Sequence, residues 1–281
     1  MAPSLLVVTV TYNSSSAIGS FLSSLATAVS SPFSTIIVDN ASADVEATRA
    51  IVSATDARLI ALDENGGYGA GITAGIDAFG PSPDYILVVN PDVHFAEHSI
   101  DTLLEIAEQY PDAGSVGPRI LDPDDTVYPS ARNLPSLRTG IGHAVFSRAW
   151  PNNPWTRRYR RSDSTGDTLR DAGWLSGACL LVRSEAYNEI GGFDPSFFMY
   201  FEDVDLGARL GRAGWRNLYA PQASVVHTGA HSTSQNAGAM ERVHHESAYR
   251  FLSRKYTGWY LAPLRLAIRF ALAVRVWWRS R

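Results

Sequence analysis

Short apolar runs bounded by turn residues alternate with helical patterns over the first 120 residues. The apolar runs predict strands near Leu5–Val10, Thr35–Asp39, Arg58–Leu62, Tyr85–Val89 and Ser115–Ile120. The segments between them predict helices around Ala17–Ala28, Asp44–Ala54, Tyr68–Phe79 and Ser99–Gln109. Because continuous apolar strands that alternate with helices are buried on both faces, this pattern predicts an α/β fold with a mostly parallel sheet flanked by helices.

The pattern changes after residue 120. Residues 121–171 are rich in Pro, Arg and Ser and have little periodicity, which indicates a long excursion from the sheet. Order returns afterwards, with predicted elements at Ala172–Arg183, Asp203–Arg212, Trp215–Tyr219, Ala223–Val226, Glu241–Tyr256 and Pro263–Arg279. We therefore predict one domain over residues 1–240, with a first half (1–120) and a second half (121–240). A C-terminal extension of amphipathic helices (241–281) follows.

Composition and charge indicate the cellular compartment and the kind of partner. The single Cys179 excludes a disulfide within the chain and favours a reducing compartment, and Leu5–Val10 is too short for a signal peptide. Residues 241–281 carry nine basic and two acidic side chains, whereas the remainder carries 15 basic and 26 acidic ones. A cationic extension on an acidic body predicts an anionic surface as partner. Nucleic acid is not expected, since no basic stripe crosses the body.

Polar residues follow three of the predicted strands. They are Thr11-Tyr12-Asn13, Asp39-Asn40 and Asn90-Pro91-Asp92. In open α/β sheets, ligands bind beyond the carboxyl ends of the strands. We therefore expect these three clusters to converge on one binding edge.

A second acidic motif lies elsewhere. Glu202-Asp203-Val204-Asp205 opens a predicted helix directly after the aromatic run Phe197–Phe201. One acidic cluster suits a metal-bound phosphate, and the other suits proton removal from an attacking hydroxyl. A helix N-terminus also favours acidic residues through the helix dipole, which is the alternative explanation.

These motifs resemble the family 2 inverting glycosyltransferases, which have the A-type nucleotide-sugar fold. Within that family the chain looks most like the actinobacterial rhamnosyltransferases that act on N-acetylglucosaminyl-diphospho-polyprenol. The likeness is carried by Tyr128-Pro129-Ser130-Ala131-Arg132, Asn153-Pro154-Trp155, Gly173-Trp174-Leu175-Ser176-Gly177, Phe198–Gly207 and Ala230-His231-Ser232-Thr233. It implies a dTDP-L-rhamnose donor, a lipid-linked GlcNAc acceptor and a role in building the linker between arabinogalactan and peptidoglycan.

The resemblance implies a set of donor-binding residues. Asp39 would accept a hydrogen bond from the imide N–H of uracil or thymine, and Tyr12 would pack on the base beside Thr11 and Asn13. The alternative for Asp39 is a turn or helix-capping aspartate.

In this family, a Gly-rich stretch after the third strand lies against the ribose and phosphates of the nucleotide. In this chain the stretch contains Asn65, Gly67 and Tyr68. The alternative is a flexible loop before a helix. It is not a dinucleotide-binding fingerprint, which would follow the first strand.

The resemblance also implies a metal site for Mg²⁺ or Mn²⁺. Asn90-Pro91-Asp92 stands where the family has Asp-x-Asp, so Asp92 would ligate the ion with Asn90 beside it. His227 matches a histidine that completes the site in several relatives. A lone histidine after a strand is otherwise more often structural.

The catalytic and acceptor residues are implied in the same way. Asp203 matches the family's base, and Glu202 would support it or contact the acceptor sugar. Trp174, Ser176 and Gly177 match the acceptor-side segment. Our own hypothesis is that Arg132, together with an arginine cluster at 157–161, clamps the acceptor's diphosphate; the alternative is that these loop arginines are only solvated.

The last predicted helix has an apolar and aromatic face and an arginine face. Its arginines, which fall within one arc, are Arg265, Arg269, Arg275 and Arg279. Four arginines exclude a membrane span but suit a helix lying at a lipid interface. We therefore expect a peripheral protein on the cytoplasmic face of the plasma membrane. The alternative is a helix docked on the body with solvated arginines.

Other functions stay open at this level. A family 2 enzyme with another nucleotide sugar and glycan acceptor fits the same motifs. A nucleotidyltransferase would normally have a Gly-rich loop after the first strand, where Thr11–Ser16 stands instead. A non-catalytic nucleotide-sugar-binding protein would not need Asp203. The sequence also leaves open whether the chain forms a homo-oligomer.

Overall fold

The structure is a computed structural model that describes residues 3–80, 82–136, 166–229 and 237–279, without the side chains of 237–239 and 271–279. Its strands are β1 Leu5–Thr11, β2 Phe33–Asp39, β3 Arg58–Ala61, β4 Tyr85–Val89, β5 Val93–Phe95, β6 Ala113–Leu121, β7 Val127–Tyr128, β8 Ala131–Arg132, β9 Arg170–Ala172, β10 Trp174–Leu175, β11 Cys179–Arg183 and β12 Arg216–His227. Its helices are α1 Ser15–Ala28, α2 Val45–Val52, α3 Tyr68–Phe79, α4 Ser99–Gln109, α5 Ser184–Glu189, α6 Glu202–Ala213, α7 Ala237–Lys255 and α8 Ala262–Arg279, with a 3₁₀ turn at Trp259–Leu261 before α8.

A mixed, mostly parallel sheet forms the centre of the molecule, in the order β3-β2-β1-β4-β11-β6-β12-β5. Strands β3, β2, β1 and β4 run parallel to one another, and β12 runs parallel to β6. Strand β11 is antiparallel to both β4 and β6. The predicted α/β architecture is confirmed.

Both faces of the sheet are buried because side chains alternate along each strand. Leu5 and Val7 of β1 join one apolar cluster, which also contains Phe21 of α1. Leu6 and Val8 join the cluster on the opposite face. This two-sided burial explains why the strands are continuously apolar.

Strand β12 differs from the predicted elements. Where two strands were expected near Trp215–Tyr219 and Ala223–Val226, β12 is continuous from Arg216 to His227. Its register against β6 shifts between Ala220 and Ser224. A β-bulge lets the strand pass Pro221 without ending, because the extra residues leave the ladder there.

The C-terminal helices pack beside helix α6 and the segment before it. Phe251 of α7 packs in a cluster with Phe197, Val204 and Ala208, and α8 packs on α7. None of the described helices combines the length and apolarity that crossing a bilayer requires.

Candidate active site

The predicted convergence of polar residues at one sheet edge is present. Thr11 and Asp39 are register partners in β1 and β2, and β1 also pairs with β4, which ends just before Asn90. The backbone N–H of Asn13 donates to Ser42 Oγ over 3.0 Å, and Asn13 Oδ1 accepts from the Ala43 N–H over 2.8 Å. The loops after β1 and β2 are therefore tied together at this edge.

Asp39 is fully buried at the end of β2. Its Oδ1 accepts from the backbone N–H of Ser42 over 2.8 Å, as a turn aspartate does. Its Oδ2 has no hydrogen-bond partner among the described residues. A buried carboxylate oxygen without a partner is costly, so a donor from a ligand would complete the hydrogen bonding of Asp39. Tyr12 is exposed nearby in the chain, on the loop after β1.

The Asn65–Tyr68 stretch is an ordered loop. Asn40 Nδ2 donates to Asn65 Oδ1 over 2.9 Å and to the Gly67 carbonyl over 3.1 Å. Gly67 has φ of 91°, and a Cβ at this position would lie 2.0 Å from the carbonyl oxygen of Phe198. The Tyr68 N–H donates to that same carbonyl over 2.9 Å. Only glycine at position 67 permits this close approach between the Asn65–Tyr68 loop and the backbone of Phe198.

The residues predicted to bind metal are brought together. His227 Nε2 lies 3.1 Å from Asp92 Oδ1 and 3.2 Å from Asn90 Nδ2. Both Asp92 and His227 are largely buried. In the part of the chain that the structure describes, no group of three or more His, Cys, Asp or Glu residues forms a complete metal cage. One carboxylate and one imidazole fit an ion whose other positions are taken by phosphate oxygens and water, as is usual for Mg²⁺.

The second acidic motif begins helix α6. Asp203 Oδ2 accepts from the backbone N–H of Gly177 over 3.1 Å, and its Oδ1 accepts from the Val204 N–H over 2.7 Å. Tyr200 and Phe201, which come directly before Glu202, have φ values of 64° and 67°. Bulky residues rarely adopt this left-handed conformation, so the surrounding contacts must hold the turn in place.

Glu202 and Asp203 share the first turn of α6 but titrate differently. Burial, together with the neighbouring charge of Asp203, raises the pKa of Glu202 to about 8. Burial also raises the pKa of Asp203, but the N–H groups of Gly177 and Val204 and the charge of Arg132 oppose this effect. Both pKa values are raised by burial, and the hydrogen bonds from Gly177 and Val204 favour the ionised form at Asp203 rather than at Glu202.

Tyr68 links α3 to the acceptor-side segment. Its hydroxyl donates to the Gly177 carbonyl over 2.7 Å. Burial raises the pKa of Tyr68 well above its ordinary value, and the charges of Glu202 and Asp203 raise it further. Tyr68 thus stays protonated and acts as a fixed donor beside the two carboxyls.

The residues predicted to bind the acceptor lie on β8, on β10 and in the segment after β10, where Gly177 contacts Asp203. Trp174 pairs with Arg132 across β10 and β8, and the Arg132 guanidinium lies 5.9 Å from the ring centroids of Trp174 and Tyr128. Ser176 is buried, and its Oγ accepts from the Ala178 N–H over 3.3 Å, which shapes the segment. The arginine cluster at 157–161 and the segments 153–155 and 230–233 lie outside the described residues.

A protein-family comparison agrees with this geometry. The model of the "Glycosyltransferase like family 2" matches residues 2–245. The chain belongs to this family. It is therefore a glycosyltransferase, and the motif-based resemblance is confirmed at the level of the family.

This glycosyltransferase has named relatives. It is 44% identical over 278 residues to N-acetylglucosaminyl-diphospho-decaprenol L-rhamnosyltransferase of Mycobacterium tuberculosis, covering 96% of this chain and 90% of that protein. It is 31% identical over 173 residues to rhamnosyltransferase WbbL of Escherichia coli K12, covering 61% of this chain and 62% of that one. Mannosyltransferase PcManGT of Pyrobaculum calidifontis, solved with GDP-Man and Mn²⁺, superposes with a TM-score of 0.59 at 16% identity, covering 99% and 72% of the two chains. That likeness confirms the A-type fold.

Two features of this glycosyltransferase site were not foreseen as functional. Asn40 was noted at the strand edge, but its role in holding the Asn65–Gly67 loop depends on a contact 25 residues away. Ser247 of α7 donates to the Met199 carbonyl over 2.9 Å, just before the turn that precedes Glu202. Neither residue belongs to a motif with a sequence signal. Asp205 accepts a hydrogen bond from Arg209, which also donates to the Ile190 carbonyl and so ties a nearby loop to α6.

Proposed function

We propose that this glycosyltransferase transfers L-rhamnose from dTDP-L-rhamnose to GlcNAc-diphosphoryl-polyprenol, forming the lipid-linked disaccharide of the cell-wall linker. The observation that carries the proposal is the 44% identity to the mycobacterial L-rhamnosyltransferase, which extends over 96% of this chain. Both acidic motifs and the acceptor-side segment lie within the aligned length and near one another in the fold.

The donor is held at the carboxyl edge of the sheet in this proposal. The free oxygen of Asp39 accepts the imide N–H of the thymine base, and Tyr12 packs on the ring. Asp92 and His227 are the protein ligands of a Mg²⁺ or Mn²⁺ ion, with Asn90 beside them. Such an ion, when bound, neutralises charge that develops on the leaving diphosphate.

Asp203 acts as the base. Its carboxylate takes the proton from the GlcNAc 3-hydroxyl, and the hydroxyl oxygen forms a bond to the anomeric carbon of rhamnose. The bond from that carbon to the dTDP oxygen breaks, dTDP leaves with the electron pair, and the configuration inverts. Glu202 stays protonated at neutral pH, so it places no second charge beside the base.

The acceptor lipid implies a peripheral position on the cytoplasmic face of the membrane, and the C-terminal extension supports one. Trp259 and Phe270 are 86% and 72% exposed, with Tyr260 and Leu266 also exposed. Arg265 instead turns toward the protein and donates to the Tyr256 carbonyl. Arg269 is exposed beside this apolar surface, and an exposed surface that combines apolar and cationic side chains favours contact with anionic lipid.

The decisive experiment is a transfer assay with purified protein, Mg²⁺ or Mn²⁺, GlcNAc-diphosphoryl-polyprenol and a panel of dTDP-, UDP- and GDP-sugars. Disaccharide formed from dTDP-rhamnose alone, with inverted configuration and only with divalent ions, would support every part of the proposal. Product from a different donor would keep the mechanism and contradict the assigned sugar. Loss of product with EDTA, restored by excess Mg²⁺ or Mn²⁺, tests the metal separately.

A further inference from the structure

A cavity of about 600 Å³ lies beside the helix that carries the base. It is bounded by α6, by the start of β12 and by the end of α7. Its lining combines an apolar part with cationic residues, and the residues that matter below are Leu134, Gly211, Arg212, Trp215, Phe251 and Lys255.

The cavity is next to the acceptor side of the active site. Gly207 and Gly211 line it and follow Asp203 by four and eight residues, so they share its side of α6 at ~6 and ~12 Å along the axis. A Cβ at Gly207 would lie 2.7 Å from Trp174 Cβ. Trp174 also packs with Leu134 and Phe251, which line the cavity. Trp174 therefore contacts both the helix that carries Asp203 and two residues of the cavity lining.

The cationic side chains of the cavity lining are only partly paired with carboxylates in the described part of the chain. Arg216 is paired with Asp171, and Arg254 is paired with Asp194. Arg212 forms no ion pair within the described ranges. Lys255 donates one hydrogen bond, to the Pro135 carbonyl over 2.7 Å, and its ammonium has two further donors.

We propose that this cavity binds the diphosphate and the first isoprenoid units of the lipid acceptor. The inference rests on the proposed function and assigns a subsite to it. Arg212 and Lys255 contact the diphosphate, and Leu134, Trp215 and Phe251 contact the isoprenoid chain. The GlcNAc then extends past Trp174 toward Asp203. The position of the cavity also suits a lipid substrate. Helix α7 ends at Lys255, and the exposed Trp259 and Tyr260, which are proposed to contact the membrane, follow within five residues.

Filling the cavity tests this assignment. A Cβ at Gly211 meets nothing within 4 Å, and the residue is helical, so Gly211→Leu is accommodated without backbone strain. We expect the KM for GlcNAc-diphosphoryl-farnesol to rise at least tenfold, with the KM for the donor and the affinity for dTDP unchanged. Gly19→Leu on α1 is the matched control, because its Cβ also meets open space but lies outside the cavity.

Removing the cations tests the diphosphate contact. The double variant Arg212→Ala/Lys255→Ala should lose at least tenfold in kcat/KM for the diphosphate acceptor. It should retain its activity toward a GlcNAc alkyl glycoside that has no phosphate. The control is Arg242→Ala/Arg250→Ala, which removes two exposed cations of α7 outside the cavity lining.

Direct binding separates this inference from the proposed function. Farnesyl diphosphate, farnesol and inorganic pyrophosphate are titrated against the tryptophan fluorescence of the wild-type protein and Gly211→Leu. Farnesyl diphosphate binding that Gly211→Leu weakens supports the cavity even if no rhamnosyl transfer is found, in which case only the proposed function fails. Active wild-type enzyme with unchanged acceptor KM in both cavity variants overturns the cavity assignment. Equal affinity for pyrophosphate and farnesyl diphosphate overturns its isoprenoid part.

Discussion

Glu202 and Asp203 are adjacent carboxyls with different hydrogen bonding. Asp203 accepts two backbone N–H groups, whereas Glu202 Oε2 is buried without a hydrogen-bond partner within the described residues. Hydrogen bonds to the charged form favour ionisation, and burial without them opposes it. Within the first turn of α6, ionisation is therefore favoured at Asp203, the proposed base, over its neighbour Glu202.

Replacing Asp203 with Asn should reduce transfer by ~10²–10⁴-fold, because the side chain can no longer take a proton from the acceptor. The affinity for dTDP should be unchanged, since Asp203 contacts Gly177 and Val204 rather than the strand edge. Single-turnover transfer and dTDP calorimetry measure the two effects. Ordinary turnover in Asp203→Asn would show that the base is another group.

Glu202→Gln should change how stability depends on pH. The folded-state pKa of Glu202 is raised to about 8 from an ordinary value of 4.5, so its burial costs nothing below about pH 4.5. As pH rises through this window, the unfolded chain ionises first and the wild-type protein loses stability, by at most ~1.4 kcal/mol per pH unit. Glu202→Gln removes this loss.

Urea unfolding at pH 5, 7 and 9 measures the difference. The difference in free energy of unfolding, Glu202→Gln minus wild type, should increase from pH 5 to pH 9. Glu105→Gln, an exposed position on α4, is the control and should follow the wild type. Parallel curves for Glu202→Gln and the wild type would contradict the raised pKa.

At the scale of elements, α7 supports the turn before the base. Ser247 donates to the Met199 carbonyl, and the ring of His244 lies 5.4 and 5.5 Å from those of Tyr200 and Phe201. These contacts explain how two non-glycine residues are kept at positive φ. The extension is thus part of the site's support and not only an appendage.

Ser247→Ala should lower kcat several-fold while leaving the KM for the donor near its wild-type value, because the turn loses one anchor but the donor edge is untouched. Stability should fall by ~1 kcal/mol for the lost buried hydrogen bond. Ser253→Ala is the control, since its hydroxyl bonds only within α7. If the two variants have the same kcat, α7 does not position the base.

The sequence predicted the elements well where a single period dominates. Continuous apolar strands such as β1 and β4 and the amphipathic α4 appear close to their expected bounds. The bulge that joins the two halves of β12 was not predictable, because it depends on pairing with β6. The motif placed Glu202 and Asp203 at the start of a helix, where the structure has them, and their catalytic role stays a prediction. The left-handed conformation of Tyr200 and Phe201 was not predictable, since it is imposed by contacts from α7.

At the scale of the whole molecule, an acidic body carries a cationic extension with exposed aromatic and apolar side chains. Attraction to anionic lipid and burial of apolar side chains in the interface act in the same direction. The proposed acceptor is itself embedded in the membrane, so this asymmetry would place the active site near its substrate.

The double variant Leu266→Ser/Phe270→Ser should reduce cosedimentation with anionic vesicles at least tenfold, since burying each of these side chains contributes ~1.5–3 kcal/mol. Transfer to a water-soluble acceptor should be unaffected, because both side chains are mostly exposed. Neutral vesicles separate the apolar contribution from the electrostatic one. Unchanged binding of the variant to both vesicle types would exclude these residues from the lipid contact.

The contact between Gly67 and Phe198 limits how this enzyme can be recombined with its relatives. The donor loop and the segment before the base meet backbone to backbone, with no room for a Cβ at Gly67. A chimera joined near residue 120 would inherit the two sides of this contact from different parents. Donor and acceptor specificity therefore do not form exchangeable modules, and a successful graft has to transfer Asn65–Tyr68 and Phe197–Asp203 together.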